Sequence, residues 1–325
     1  MYKHINHNKI VGNMKEELQP LYETEMGILY LGDSESILDS KYFKDLKGKV
    51  NLIFTSPPFP LNKKKAYGNL TGDEYLEWLG NFGPIFSELL APDGSLVIEI
   101  GNAWEGGTPT MSLLPIQALI ELKERGGFYL CQEFIWNNTT RLPSPAQWVN
   151  IERIRVKDAF TRLWWLSNTP RPKANNRNVL TEYSDSMKKL IKRNNYNAGK
   201  RPSEHHIGAT SFLKENEGAI PSNVLSLPNT ISRDPYLEYC KVNNIRHHPA
   251  RMPPDLAKFF IRFLTDVDDI VLDPFAGSNV TGSVAEEVGR KWRAIEKQKD
   301  YAEASRSRFP DAHNIQLTSK DEKGE

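Results

Sequence analysis

The sequence predicts an α/β protein built around one sheet, and three observations carry that expectation. Strand-like and helix-like runs alternate across residues 27–168 and again from 245 onward. The run Val50-Asn51-Leu52-Ile53-Phe54 is apolar enough to be a buried strand, and it stops abruptly in Thr55-Ser56-Pro57-Pro58-Phe59-Pro60. Near the other end, the stretch 269–289 reads as strand, small-residue loop and helix, the arrangement that places a ligand on a helix amino terminus. A chain of 325 residues accommodates one large α/β domain, with or without an insertion.

Taken in order, residues 27–32 form a short strand that runs into a helix start at 33–40, and 50–54 form the next strand. Residues 72–90 have helical spacing, and Ala91-Pro92-Asp93-Gly94 turns the chain into a strand at 95–101. A helix over 112–126 ends at Gly126-Gly127 and leads into a strand at 128–136, and 158–168 is a further apolar, β-rich run. Trp164 and Trp165 in that run read as core. Periodicity then fades until about Asn244, so 168–245 reads as a small domain or large insertion between parts 1–167 and 246–325. Order returns with a helix opening at Pro254, which suits a first helical turn. A strand at 269–273, a helix from Val280, a strand at 291–296 and a helix from Asp300 complete the chain.

A formal net charge of +1 excludes a polycation, but the charge is uneven. Between Asn168 and Arg201 lie nine basic residues and two acidic ones, with Lys188, Lys189, Lys192 and Arg193 close together. Such a segment is either a solvated face or an electrostatic footprint for phosphates. Cys131 and Cys240 make no metal or disulfide pattern and suit a reducing cytosol, and no metal site is expected, the pair His247-His248 lacking Cys or acidic partners. No apolar stretch approaches the ~20 residues of a membrane span, and the polar amino terminus lacks an export signal's apolar core, so the expected location is cytoplasmic. Residues 319–325 read as a disordered tail.

In Asp273-Pro274-Phe275-Ala276-Gly277-Ser278-Asn279, Gly277 lets backbone approach a ligand closely. Asn279 stands where a glycine would be convenient, and asparagine tolerates positive φ. Glu296 ends the next strand 19 residues after Gly277, the spacing at which an acidic group meets a ribose. A Lys-bearing phosphate loop and the dinucleotide glycine pattern are both absent, which fits a nucleoside with little or no phosphate.

Together, Thr55-Ser56-Pro57-Pro58-Phe59 and the Asp273–Asn279 loop resemble the DNA amino-methyltransferases that use S-adenosylmethionine. Catalytic motif first and cofactor motif last is similar to the β class, and the Ser-Pro-Pro-Phe form is similar to its cytosine-N4 branch. The resemblance covers most of 27–168 and 245–308, and it departs at Asn279, where glycine is common, and at Glu99, where an aspartate is expected. It implies a circularly permuted Rossmann-like methyltransferase fold, with 168–245 as an inserted target-recognition region. It further implies double-stranded DNA as partner, base flipping, and a possible separately encoded restriction endonuclease.

The implied chemistry begins with the cytosine amine, whose lone pair is delocalised into the ring. Acceptors on both amino hydrogens free that pair, and the Ser56 hydroxyl and Pro57 carbonyl are the candidates. Pro57, Pro58 and Pro60 lock the loop and keep its carbonyls available, and Phe59 stacks on a base drawn out of the duplex. Glu99 is either a further acceptor or a helix-capping carboxylate. Asp273, Phe275, Gly277, Ser278 and Asn279 shape the methionine pocket, Glu296 takes the ribose hydroxyls, and Asp33 takes the adenine amino group unless it caps the helix that follows it. His247–Pro253 closes the pocket. An adenine-N6 enzyme of the same architecture and a non-catalytic DNA-binding module remain as alternatives.

Overall fold

The structure, a computed structural model, describes residues 19–59, 70, 72–210, 212–213, 216–230 and 234–314. The expectations for Pro60, the amino terminus and the 319–325 tail lie outside the described residues. The strands are β1 (Gln19–Glu23), β2 (Gly27–Leu31), β3 (Val50–Thr55), β4 (Leu90–Ile100), β5 (Tyr129–Asn137), β6 (Phe160–Ser167), β7 (Gly199–Lys200), β8 (His206–Ile207), β9 (Val224–Ser226), β10 (Ile270–Asp273), β11 (Lys291–Glu296) and β12 (His313–Asn314). All but β7 and β8, which pair with each other, join one sheet in the order β12-β1-β2-β11-β10-β3-β4-β6-β5-β9.

The five central strands from β2 to β4 are parallel. β10 and β11 come late in the chain yet lie between β2 and β3, and this insertion is the circular permutation in physical form. On the flanks, β1 runs antiparallel to β2, and β6 runs antiparallel to both β4 and β5.

Strand side chains alternate between two faces, so each central strand feeds two cores. Leu29, Leu52, Phe54, Val97, Val271 and Ala294 enter one core, and their neighbours Tyr30, Ile53, Leu96, Ile98, Leu272 and Ile295 enter the other. Helices cover both faces, the expected arrangement for parallel strands. In chain order they are α1 (Ser34–Leu38), α2 (Lys41–Lys44), α3 (Gly72–Leu89), α4 (Leu114–Gly126), α5 (Asp185–Arg193), α6 (Pro235–Val242), α7 (Pro254–Leu264), α8 (Val280–Glu287) and α9 (Lys299–Ser305). Helix α3 buries Tyr75, Leu79, Phe82 and Phe86 on one face, and α7 buries Leu256, Phe260, Ile261 and Leu264 on the other. Trp165 is buried in the α7 layer, its indole N–H donating to Ser95 Oγ at 2.9 Å, and Trp164 packs half-buried on the opposite face.

Three features depart from the sequence reading. β1 was not anticipated, because Pro20 and two acceptor-rich neighbours mask its short apolar pattern. β4 begins at Leu90 and runs through the expected 91–94 turn, with a register irregularity against β3. The 168–245 region is also tied into the main body at both ends. Lys173 N–H donates to Asp93 O at 2.9 Å and Asn175 N–H to Phe263 O at 2.8 Å, while β9 pairs with the edge strand β5. Helix α6 buries Tyr236 and Cys240. The outward part is narrower and carries α5 and the β7–β8 ribbon. Among the described residues, no helix is long and apolar enough to cross a membrane.

Candidate active site

The carboxyl ends of parallel strands in an α/β sheet are where ligands bind, and both sequence motifs sit there. Ser56 follows β3, and the 274–279 loop follows β10. A cavity of about 350 Å³ opens between them, within the size range of small-molecule sites. Ser56, Pro57, Pro58 and Phe59 line one side of it, and Phe275 and Glu296 line the other.

Pro57 is buried and Ser56 half-buried. Behind Ser56 stands Glu99 of β4, only 5% exposed and hydrogen-bonded to the Ser56 side chain. Burial pushes the Glu99 carboxyl up to about 7, against the opposing pull of the Ser56 bond and the Arg141 charge. Glu99 is thus partnered with Ser56, and it touches the cavity only through Ser56. Phe59 lies against Gly101, where an added Cβ would come within 2.4 Å of its ring. Gly101 is therefore part of the site, a role its place at a strand end did not disclose.

On the other side, Asp273 is buried and held by three hydrogen bonds. Its Oδ1 accepts Thr55 Oγ1 at 2.7 Å and Phe275 N–H at 3.1 Å, and its Oδ2 accepts Thr281 Oγ1 at 2.7 Å. Asn279 adopts the left-handed conformation anticipated for it (φ 51°), caps α8 by accepting Gly282 N–H at 3.1 Å, and donates to Tyr22 Oη at 3.0 Å. Arg308 Nε donates to the Ser278 carbonyl at 2.7 Å. Asp273, Gly277, Ser278 and Asn279 consequently do not line the cavity. The polar groups of these four hold the turn that presents Phe275 and Glu296 to the cavity.

Glu296 is oriented by two backbone donors, Gly277 N–H on Oε2 and Gln298 N–H on Oε1, each at 2.7 Å. Burial raises it to about 7, with these two bonds pulling it down. Each carboxylate oxygen retains a lone pair for a further donor. Asp33 lines the rim and also caps α1, accepting Glu35 N–H at 3.1 Å and pairing with Lys297 Nζ at 2.8 Å. The neighbouring Ser34 hydroxyl donates instead to Pro274 O.

The anticipated closing segment is in place, since His248, Pro249 and Ala250 line the cavity. Burial holds the His248 imidazole down to about 4, so it is neutral at pH 7, edge-on to Tyr301 at 4.9 Å. Trp78 and Phe82 of α3, whose spacing read only as helix, complete an aromatic wall with Phe275 at centroid distances of 5.6 and 5.2 Å. An aromatic wall beside a carboxylate with free lone pairs fits a nucleoside. Among the described lining residues the lysine is Lys297, already paired, and no cationic cluster for phosphates is present.

Lys188, Lys189, Lys192 and Arg193 lie on α5, are all exposed and do not line the cavity. Lys188 pairs with Glu182 at 3.3 Å.

Comparison with known proteins places these features in context. Residues 50–307 match a family model described as DNA methylase, of the N6/N4 group. The chain is 46% identical over 295 residues to the type II methyltransferase M.PvuII of Proteus hauseri, covering 90% of this chain and 86% of that protein. Among solved structures, PvuII DNA methyltransferase (cytosine-N4-specific) aligns with a TM-score of 0.72 at 39% identity, covering 90% and 89% of the two chains. M1.HpyAVI in complex with SAM aligns at 0.51 and 21% identity over 88% of this chain and 100% of that one, a likeness of fold.

The Glu99 environment has a measurable consequence. Its carboxyl rises from 4.5 to about 7 on folding, so the native state holds the proton more tightly. The resulting stability is complete below pH 4.5 and is lost as pH climbs to 7. Relative to Glu99→Gln, the wild-type protein is expected to lose on the order of 3 kcal/mol across that window. Urea unfolding at several pH values measures the difference, and a flat difference curve would show Glu99 ionised in both states.

Proposed function

The chain belongs to the N6/N4 DNA methylase family, and from that premise we propose that it methylates the N4 amino group of cytosine within a specific duplex DNA site. The observation that carries this reading is the Ser56 hydroxyl, a neutral acceptor held by a buried Glu99 at the mouth of a nucleoside-shaped cavity. S-adenosylmethionine, the cofactor, supplies a methyl group made electrophilic by its sulfonium. The residues around it bind, orient and accept protons.

With its proton donated to ionised Glu99, Ser56 Oγ turns its lone pairs toward the cavity. It takes one amino hydrogen of the base and the Pro57 carbonyl takes the other, localising the nitrogen lone pair for attack. These acceptors are placed before the reaction begins, the condition for stabilising a transition state rather than a ground state. Phe59, steadied on Gly101, stacks on the extruded ring, a contact typically worth ~1–3 kcal/mol. The nitrogen becomes cationic on methylation and must then lose a proton. Glu99, titrating near 7, is matched to receive it through Ser56.

On the cofactor side, Glu296 accepts the ribose hydroxyls with its remaining lone pairs, and Asp33 meets the adenine amino group at the rim. Phe275 would help to shape the methionine pocket, on the turn held by Asp273, Gly277, Ser278 and Asn279. The outward part of 168–245 reads the target sequence, with Lys188, Lys189, Lys192 and Arg193 on phosphates. A separately encoded endonuclease cutting the same unmethylated site is the partner this reading implies.

Sequencing of DNA from a methylation-free host expressing this chain is expected to reveal one short modified sequence. Nucleoside analysis of the same DNA should yield N4-methylcytosine. N6-methyladenine as the main product would overturn the choice of base and leave the amino-transfer chemistry intact.

The two sides of the cavity should separate on mutation. Ser56→Ala is expected to lower turnover by roughly 10²–10³, as loss of one preorganised polar contact does, with cofactor affinity retained. Glu296→Gln should weaken cofactor binding itself. Calorimetry with S-adenosylmethionine decides, and equal loss of affinity in both variants would refute the division.

Neutralising Lys188, Lys189, Lys192 and Arg193 together should weaken DNA binding and reduce its salt slope by up to roughly four, one per lost phosphate contact. An unchanged slope would make α5 a solvated face.

A further inference from the structure

The loop that joins β5 to β6, residues 138–159, stands on the same edge of the sheet as Ser56 and Glu99. Register places it there, since Ile100 of β4 pairs with Arg162 and Asn137 pairs with Phe160. The loop is pinned at its base, with Asn138 N–H donating to Ala159 O at 2.8 Å. It is docked along its length by Arg155, whose guanidinium lies 4.0 Å from the Trp104 ring centroid and donates to Pro109 O at 2.8 Å. Arg141 is close enough for its charge to act on Glu99.

Its surface is unusual. Leu142 is 80% exposed, Ile151 69% and Val156 86%, in a loop that also carries Arg141, Arg153, Arg155 and Lys157 against Glu152 and Asp158, the last paired with Arg155. Lys157 Nζ donates to the Arg141 carbonyl at 3.3 Å, so Leu142 and Val156 flank one point. Large aliphatic side chains interleaved with cations suit a partner with a charged exterior and an apolar interior. The loop shares its sheet edge with Ser56 and Glu99, so the duplex that presents a base to Ser56 is the partner within its reach. Extrusion of a cytosine toward Ser56 leaves a gap in the stack and an unpaired purine opposite, and apolar wedges are the side chains that occupy such gaps.

We propose that loop 138–159 enters the duplex, with Leu142 and Val156 filling the space the target base vacates while the exposed Arg153 meets a flanking phosphate. The proposal rests on the methyltransferase reading above and adds the element that keeps the base out. It is distinct from the α5 surface, which is placed on phosphates only.

The experiment uses the full chain and two duplexes carrying the recognition sequence found by sequencing. In one the target cytosine is paired with guanine, and in the other it faces an abasic site, so that little pairing must be broken. Leu142→Ala/Val156→Ala is expected to slow methylation of the paired duplex about tenfold or more, because the base must then be unstacked and unpaired without the wedge. On the abasic duplex the same variant should match wild type within about twofold, by the same reasoning. Leu142→Met/Val156→Ile, which keeps apolar bulk, should restore the paired rate. Equal losses on both duplexes, no loss on either, or a changed sedimentation coefficient marking the patch as a self-association face would overturn the proposal. Wild-type protein that methylated neither duplex would instead sink the methyltransferase reading beneath it.

Discussion

One buried carboxylate sets the geometry on which the rest depends. Asp273 joins the last residue of β3 to the first residues beyond β10, across 218 positions of sequence, and reaches the first turn of α8 through Thr281. Burial raises its pKa, and three hydrogen bonds oppose that shift. An unpaired carboxylate at this depth would be costly, whereas one with donors on both oxygens is rigid and specifies a single arrangement. Since Thr55 immediately precedes Ser56, the same group positions the base-side loop and the cofactor-side turn relative to each other.

Around that tie, the site divides labour between two acids of similar strength and different surroundings. Glu99 and Glu296 are both held near 7 by burial. Glu99 is spent on a hydroxyl and an arginine's field, so its effect reaches the cavity through Ser56. Glu296 is fixed by two peptide N–H groups and faces the cavity directly.

What could be seen in the residues follows a physical division. Central strands such as Val50–Thr55 and Ile270–Asp273 are legible because burial on both faces demands near-continuous apolar runs. Asn279 was legible because few residues accept the left-handed region. The Ser56–Phe59 and Asp273–Asn279 motifs announced a shared site before any sheet order was known. The rest required packing. Nothing local in Gly101 discloses an aromatic ring against it, and nothing in Arg308 discloses a bond to the Ser278 carbonyl. β9 is three residues long and takes its identity from β5 beside it. For Asp273 the sequence shows that a carboxylate is present and not that Thr55, Phe275 and Thr281 all donate to it.

The late position of β10 and β11 also shapes how the chain reaches its native state. β2 and β3 are separated in the sheet by strands that are synthesised more than two hundred residues after them. Until residues 270–296 emerge, those two strands have exposed edges and no correct neighbour between them, a state of high contact order that invites wrong pairing. Helical pairs such as α3 and α4 pack locally and can form earlier. Assembly of the sheet centre therefore coincides with assembly of the catalytic cavity, and a nascent chain gains its chemistry in the same step that relieves its open edges.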